Sequence, residues 1–152
     1  MNKLIIGNVA PEFSLPNSQG ENISLSSFKG KNVVLYFYPK DGTPGCTIEA
    51  QKFSESYQNY LDNNTEIVGI SVDDENSHKE FCSKYSLPFT LLSDNQKKVV
   101  KLYGVWGKTL FGEGTQRVTF LIDQNGIIKN IWWKVNVVNH SKEILNFLKE
   151  KQ

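Results

Sequence analysis

The 152-residue chain is short of the residues that several common kinds of protein require. Its two cysteines, Cys46 and Cys82, exclude both a disulfide scaffold and a four-cysteine zinc site. No apolar run approaches the ~20 residues of a membrane span, and Met1 to Gly7 is too short for a secretory hydrophobic region. A cytoplasmic location is therefore expected. Charge of one sign is missing too: 17 basic against 16 acidic residues leave +1, no electrostatic footprint for nucleic acid or an anionic membrane. Repeats, linkers and low-complexity tracts are absent, so residues 1–152 are expected to form one domain, long enough to bury a core without staples. Arginine is scarcest of all. Arg117 stands alone beside sixteen lysines, a candidate for a role that needs a planar fork of donors.

What is present reads as alternating strands and helices. Residues 12–16 and 22–25 suggest a small hairpin about the turn Asn17-Ser18-Gln19-Gly20. Asn32 to Tyr38 is a continuous apolar run rich in β-branched and aromatic residues, as suits a strand buried on both faces, and Pro39 ends it. Thr43 and Pro44 fit the N-cap and first position of a helix carrying Ala50, Phe53, Tyr57, Tyr60 and Leu61 at helical spacing. Glu66 to Val72 is a second buried strand. Asp73 or Asp74 starts a second helix, with Phe81 and Tyr85 on one face, closed by Leu87-Pro88.

Phe89 to Leu92 reads as a short strand and Lys97 to Tyr103 as a short helix. Val118 to Ile122 and Ile127 to Trp133 form a hairpin about Gln124-Asn125-Gly126, and His140 to Leu148 a closing helix. This β–α–β–α order followed by a hairpin and helix predicts a thioredoxin-like α/β sandwich. Its central mixed sheet carries helices on both faces, with an N-terminal β-hairpin alongside.

The chemistry concentrates in the loop from Pro39 to Glu49, at the C-terminal end of the presumed central strand, where open α/β sheets place ligands. Cys46 falls in the first turn of the following helix. Unpaired N–H groups and the helix dipole there favour a thiolate.

Pro39, Thr43 and Cys46 match the Pro-x-x-x-Thr-x-x-Cys motif of peroxiredoxins, and Lys40 to Thr47 (KDGTPGCT) resembles the bacterioferritin-comigratory, or peroxiredoxin Q, group. Val9 to Phe13, Phe89 to Asp94, Tyr103 to Gly107 and Arg117 to Asp123 agree with the same group. The resemblance implies a thiol peroxidase with no metal or organic cofactor. It would reduce hydrogen peroxide and organic hydroperoxides and be recycled by thioredoxin or a similar dithiol, as a monomer or weak dimer. It makes Cys46 the peroxidatic thiolate, Thr43 a hydroxyl donor to sulfur and peroxide, and Pro39 a shield against water. Arg117 would stabilise the thiolate and the leaving oxygen, and Glu49, one turn after Cys46, would hold that guanidinium. At pH 7, full ionisation of a thiol of pKa ~8.5 gains at most about thirty-fold, ~2 kcal/mol. Donors aimed at the peroxide oxygens must supply the rest, roughly 3 kcal/mol each.

The sequence departs from one common pattern of the group, since Gln51 stands where many relatives carry a resolving cysteine. Cys82, 36 residues after Cys46, is either the resolving cysteine, giving a redox-active Cys46–Cys82 disulfide, or a small buried residue beside Phe81 and Tyr85. If it resolves, it sits about 12 Å along its helix from Asp74. Packed helices are ~8–10 Å apart and a disulfide needs Cα atoms within about 7 Å, so a helix must unwind. The span from Trp106 to Arg117 is shorter than in familiar relatives, which bears on pocket shape. His78 and Cys82 read as part of a solvated helix face rather than a metal pair, and Gly112-x-Gly114 as flexible loop. Trp132 and Trp133 point to opposite sides of a strand, so at most one is core. Two other readings are a thiol–disulfide oxidoreductase, which normally needs a Cys where Thr43 stands, and a non-enzymatic binding module.

Overall fold

A computed structural model describes residues 3–150. Five strands form the central mixed sheet: β3 (Asn32–Phe37), β4 (Thr65–Ser71), β5 (Thr90–Ser93), β8 (Val118–Ile122) and β9 (Ile128–Trp132), in the order β5-β4-β3-β8-β9. β3 runs parallel to β4 and antiparallel to β8, and its last five residues are buried. That central place is what its uninterrupted apolar run requires. The N-terminal hairpin, β1 (Ser14–Pro16) with β2 (Asn22–Ser24), lies beside the sheet. Gly20, at φ 79°, turns it, and the Asn17 side chain accepts from the N–H groups of Gln19 and Glu21.

Helices cover both faces, as the thioredoxin-like expectation required. α1 (Pro44–Asp62), α2 (Glu75–Tyr85) and α4 (His140–Glu150) pack on one, where Phe53, Tyr60, Phe81, Ile144 and Leu148 meet Val34, Tyr36, Ile67 and Leu91. The short α3 (Lys98–Leu102) and the N-terminal segment cover the other, with Phe13, Val100 and Tyr103 against Leu35, Phe37, Ile70 and Phe120. Gly69 permits a close approach within the first layer: a Cβ there would meet the Tyr36 ring at 2.8 Å and Leu91 at 2.7 Å. Tyr36 also stacks on Tyr38 and packs on Phe53.

Several expectations are sharpened. Asp74, rather than Asp73, caps α2 by accepting from the Ser77 N–H at 2.8 Å. Leu61 is 38% exposed, one step round α1 from the buried stripe. Trp132 packs half-buried on Phe147, and Trp133 is the more exposed of the two.

Two expectations are overturned. Gly112-x-Gly114, read as flexible loop, belongs to a strand of a hairpin, β6 (Trp106–Thr109) and β7 (Gly112–Thr115), with Leu110 and Phe111 at its tip, 97% and 96% exposed. Thr109 closes that tip through its hydroxyl, which donates to the Gly112 carbonyl and accepts from Phe111 N–H. His78, read as part of a solvated face, is fully buried, because it continues the inward stripe of Phe81 and Tyr85. Among the described residues, no helix is long and apolar enough to cross a membrane.

Candidate active site

Cys46 is the third residue of α1 and only 1% exposed. Pro44 opens the helix, where its missing N–H costs nothing, and Thr43 precedes it in extended backbone. The Thr43 hydroxyl does not cap the helix. It donates to the Lys40 carbonyl at 2.8 Å and so braces the loop.

Arg117 reaches Cys46 from the residue before β8. Its Nη2 donates to Cys46 Sγ at 3.4 Å, and its Nη1 donates to Glu49 Oε1 at 2.7 Å. One planar fork thus bridges two residues spaced a turn apart on α1, a task that a single ammonium point charge does not perform. Gly45 makes room for it: a Cβ at that position would lie 3.1 Å from Nη2.

Glu49 is almost wholly buried, and its Oε2 has no protein partner. Burial pushes its carboxyl up to about 7, against the downward pull of the Arg117 charge and hydrogen bond. Burial alone would favour neutral Arg117, but the Glu49 and Cys46 charges outweigh it and hold the guanidinium charged. Behind Arg117, His140 Nε2 lies 2.8 Å from the Thr119 hydroxyl and 3.3 Å separates its Nδ1 from Glu143. Burial lowers the His140 pKa, Glu143 opposes this, and Arg117 lowers it further.

A groove of about 740 Å³ opens over this arrangement. Pro39, Thr43, Pro44 and Gly45 form one wall; the β6–β7 hairpin with Leu110 and Phe111 forms the other, and Arg117 lies at its edge. The structure therefore brings Arg117 and Glu49 onto Cys46 and sets Pro39 and Thr43 in the wall of the groove that Arg117 also lines. The Cys46 sulfur is itself buried, and Arg117 is the group that joins it to the groove.

Cys82 is half-buried on α2 and packs against the same apolar cluster that contains Cys46; both thiols are free. Burial, helped by the Asp41 carboxylate, pushes the Cys82 thiol up to about 11. Between loop and helix lies a polar cluster that sequence reading did not assemble. His78 Nδ1 lies 2.6 Å from Asp41 Oδ2, and Asp41 Oδ1 accepts from the Tyr38 hydroxyl at 2.6 Å. Its signal was present: His78, Phe81, Cys82 and Tyr85 recur at three-, four- and seven-residue steps, which marks an inward face.

The chain is similar to known proteins over most of its length. The AhpC/TSA family model matches residues 6–131. The chain is 46% identical over 147 residues to the putative peroxiredoxin bcp of Coxiella burnetii, covering 94% of this chain and 97% of that one. It is 44% identical over 149 residues to peroxiredoxin Bcp of Bacillus subtilis, covering 95% of each. The crystal structure of a Xylella fastidiosa PrxQ mutant superposes with a TM-score of 0.94 at 33% identity over 99% of both chains. A Xanthomonas campestris bacterioferritin comigratory protein, whose structures are described in terms of alkyl peroxide reduction, gives 0.87 at 32% identity over 91% of each.

Proposed function

We propose, for a chain that belongs to the AhpC/TSA family and within it to the Bcp and peroxiredoxin Q thiol peroxidases, that Cys46 is the peroxidatic residue and Cys82 the resolving one. The observation that carries this reading is the Arg117 fork, which joins Cys46 Sγ to the buried Glu49 carboxyl. The Cys46 thiolate attacks the terminal oxygen of a hydroperoxide. The S–O bond forms as the O–O bond breaks, and the departing oxygen takes a proton and leaves as water or an alcohol. Arg117 faces negative charge throughout: on sulfur before the attack and on the leaving oxygen during it. Pro39 and Thr43 bound the groove through which the peroxide enters. The Thr43 hydroxyl turns from the Lys40 carbonyl to the peroxide when substrate arrives. The partly apolar groove also suits the alkyl peroxides named for the Xanthomonas relative.

In the second step Cys82 sulfur attacks the Cys46 sulfenic acid and water leaves, giving a Cys46–Cys82 disulfide. Two electrons from thioredoxin or a similar dithiol then restore both thiols. No metal or organic cofactor enters this cycle. The reading has the enzyme act in the cytoplasm as a single-domain monomer, without nucleic-acid or membrane partners.

Mass spectrometry before and after one equivalent of hydrogen peroxide tests it. The parent should lose two hydrogens and yield a peptide linking Cys46 to Cys82. Cys82→Ser should stop at the Cys46 sulfenic acid after one turnover, and Cys46→Ser should consume no peroxide. Substantial turnover by Cys46→Ser would refute the assignment.

A further inference from the structure

A pair of buried groups outside the arginine–thiol arrangement joins the loop before α1 to the helix that carries Cys82. Asp41 lies two residues after Pro39 and five before Cys46. Its Oδ1 accepts from the Tyr38 hydroxyl at 2.6 Å and its Oδ2 from the Ser77 hydroxyl at 2.8 Å, while its N–H donates to Asp73 Oδ2 at 2.8 Å. The same Oδ2 lies 2.6 Å from His78 Nδ1, and His78 Nε2 lies 2.9 Å from the Leu92 carbonyl. A carbonyl oxygen only accepts, so Nε2 carries a hydrogen and donates it to β5. A second hydrogen must lie between Nδ1 and the carboxyl oxygen for that contact to hold. His78 therefore spends both ring nitrogens as fasteners, one on the sheet and one on the loop.

The far end of α2 is made differently. It closes at Ser86 with φ 51°, a left-handed conformation that glycine adopts freely and serine only at a cost. Leu87 N–H donates to the Cys82 carbonyl at 3.1 Å, so the peptide of Cys82 belongs to that closing turn. The helix is fastened at its front and strained at its back.

We propose that Asp41 and His78 are positioning residues for the resolving step: they pin the first turn of α2 to the Cys46 loop and to β5, so that α2 unwinds from its Ser86 end and the pin sets how often Cys82 is released. This rests on the Cys46–Cys82 pairing proposed above. The ligand atoms of this cluster are engaged with protein groups: Asp41 Oδ2 with His78 Nδ1 and the Ser77 hydroxyl, and Asp73 Oδ2 with the Ser71 hydroxyl and the Asp41 N–H. In the closed helix the Cys82 thiol is held up at about 11 by burial and by Asp41, so release also restores its nucleophilicity.

Hydrogen exchange and rapid-quench chemistry on the full chain test the pin. In the reduced protein, Asp41→Asn and His78→Gln should each raise exchange across residues 75–85 by ~10-fold or more, with α4 protected as in the parent. A merely structural loss would raise exchange in α4 as well and would overturn the proposal. Ser77→Ala, which removes one hydroxyl contact and keeps the Asp41–His78 contact, should give a smaller increase in the same segment. After a peroxide pulse, the sulfenic acid should convert to disulfide faster in both single variants and leave less sulfinic acid at Cys46. The double variant should be no faster than the faster single one, because the two residues act as one fastener. Parental exchange across 75–85 together with a parental rate of disulfide formation in Asp41→Asn would overturn the pin. Failure of the pairing itself looks different: the parent would then form no Cys46–Cys82 disulfide, while exchange in α2 would still decide the pin.

Discussion

Substituting Gly45 by alanine should make the protein more stable and a slower peroxidase, two effects that a simple packing defect would not separate. Gly45 occupies the second position of α1, and its φ is not in the left-handed region, so the backbone accepts an L-residue. Relieving the unfolded chain of glycine's freedom stabilises by about 0.4–1 kcal/mol at such sites. For a chain of this length that corresponds to a rise in Tm of about 1–4 °C. The new methyl carbon, however, would stand 3.1 Å from Arg117 Nη2, the nitrogen that donates to Cys46 Sγ. Ordinary contact needs ~3.5 Å or more, so the guanidinium must retreat by roughly 0.4 Å. It is tethered on its other branch by the 2.7 Å bond to Glu49, so it pivots away from the sulfur.

A misplacement of ~1 Å can cost ~100-fold in rate; 0.4 Å scales to about sixfold, or about 1 kcal/mol of barrier. Stopped-flow oxidation in the Cys82→Ser background isolates the first step, and a thermal melt of the same sample gives stability. A higher Tm with a parental oxidation rate would show that the fork clears the methyl freely and that its distance to sulfur does not govern the rate.

Other outcomes follow from the same contacts. Arg117→Lys keeps one charge but cannot bond Glu49 and Cys46 together, so oxidation by peroxide should fall by ~100- to 1,000-fold in the same stopped-flow measurement. Because the folded-state pKa of Glu49 is raised from 4.5 to about 7, the folded chain holds a proton that the unfolded chain releases. Its contribution to stability is thus greatest below pH 4.5 and is lost as pH rises through about 7; Glu49→Gln should remove that slope from denaturant titrations across the window. The rate should move the opposite way, rising through pH 7 as ionised Glu49 grips Arg117, and Glu49→Gln should lose that step too. Gly69→Ala should destabilise by about 1–3 kcal/mol in urea unfolding, since its methyl would press the Tyr36 ring and Leu91 at under 3 Å.

How much of this was legible in the sequence differs from element to element. β3 announced itself because a strand buried on both faces leaves no polar alternation, and α1 because Ala50, Phe53, Tyr57 and Tyr60 keep helical spacing. Scarcity alone only hinted at Arg117, and its role came from the resemblance to peroxiredoxins. β6 and β7 were not, because Gly107, Gly112 and Gly114 remove the side chains whose alternation would mark strands. Thr43 has the composition of a cap, yet its hydroxyl turns to the Lys40 carbonyl, a choice that only the loop's path decides. The Asp41–His78 pair joins residues 37 apart across the neighbouring β3 and β4, and it exists only once those strands lie side by side. Local patterns cannot express such a contact.

The register of β3 against β8 also sets the order in which the protein can come into being on a ribosome. Val33 pairs with Ile122 and Phe37 with Val118, so the strand at the centre of the finished sheet has one open side until the last third of the chain emerges. A nascent chain ending near Ser93 already holds the sequence of β3, α1, β4, α2 and β5, with Cys46 on its helix but no Arg117 to meet it. At ~5–20 residues per second, the interval between synthesis of Cys46 and of Arg117 lasts about 4–14 s. Through that interval the thiol lacks the guanidinium of the finished site, while Val33 to Phe37 present an unpaired apolar edge of the kind that aggregates. The last strands to be made, by covering that edge, end the exposure and complete the arginine–thiol contact in the same event.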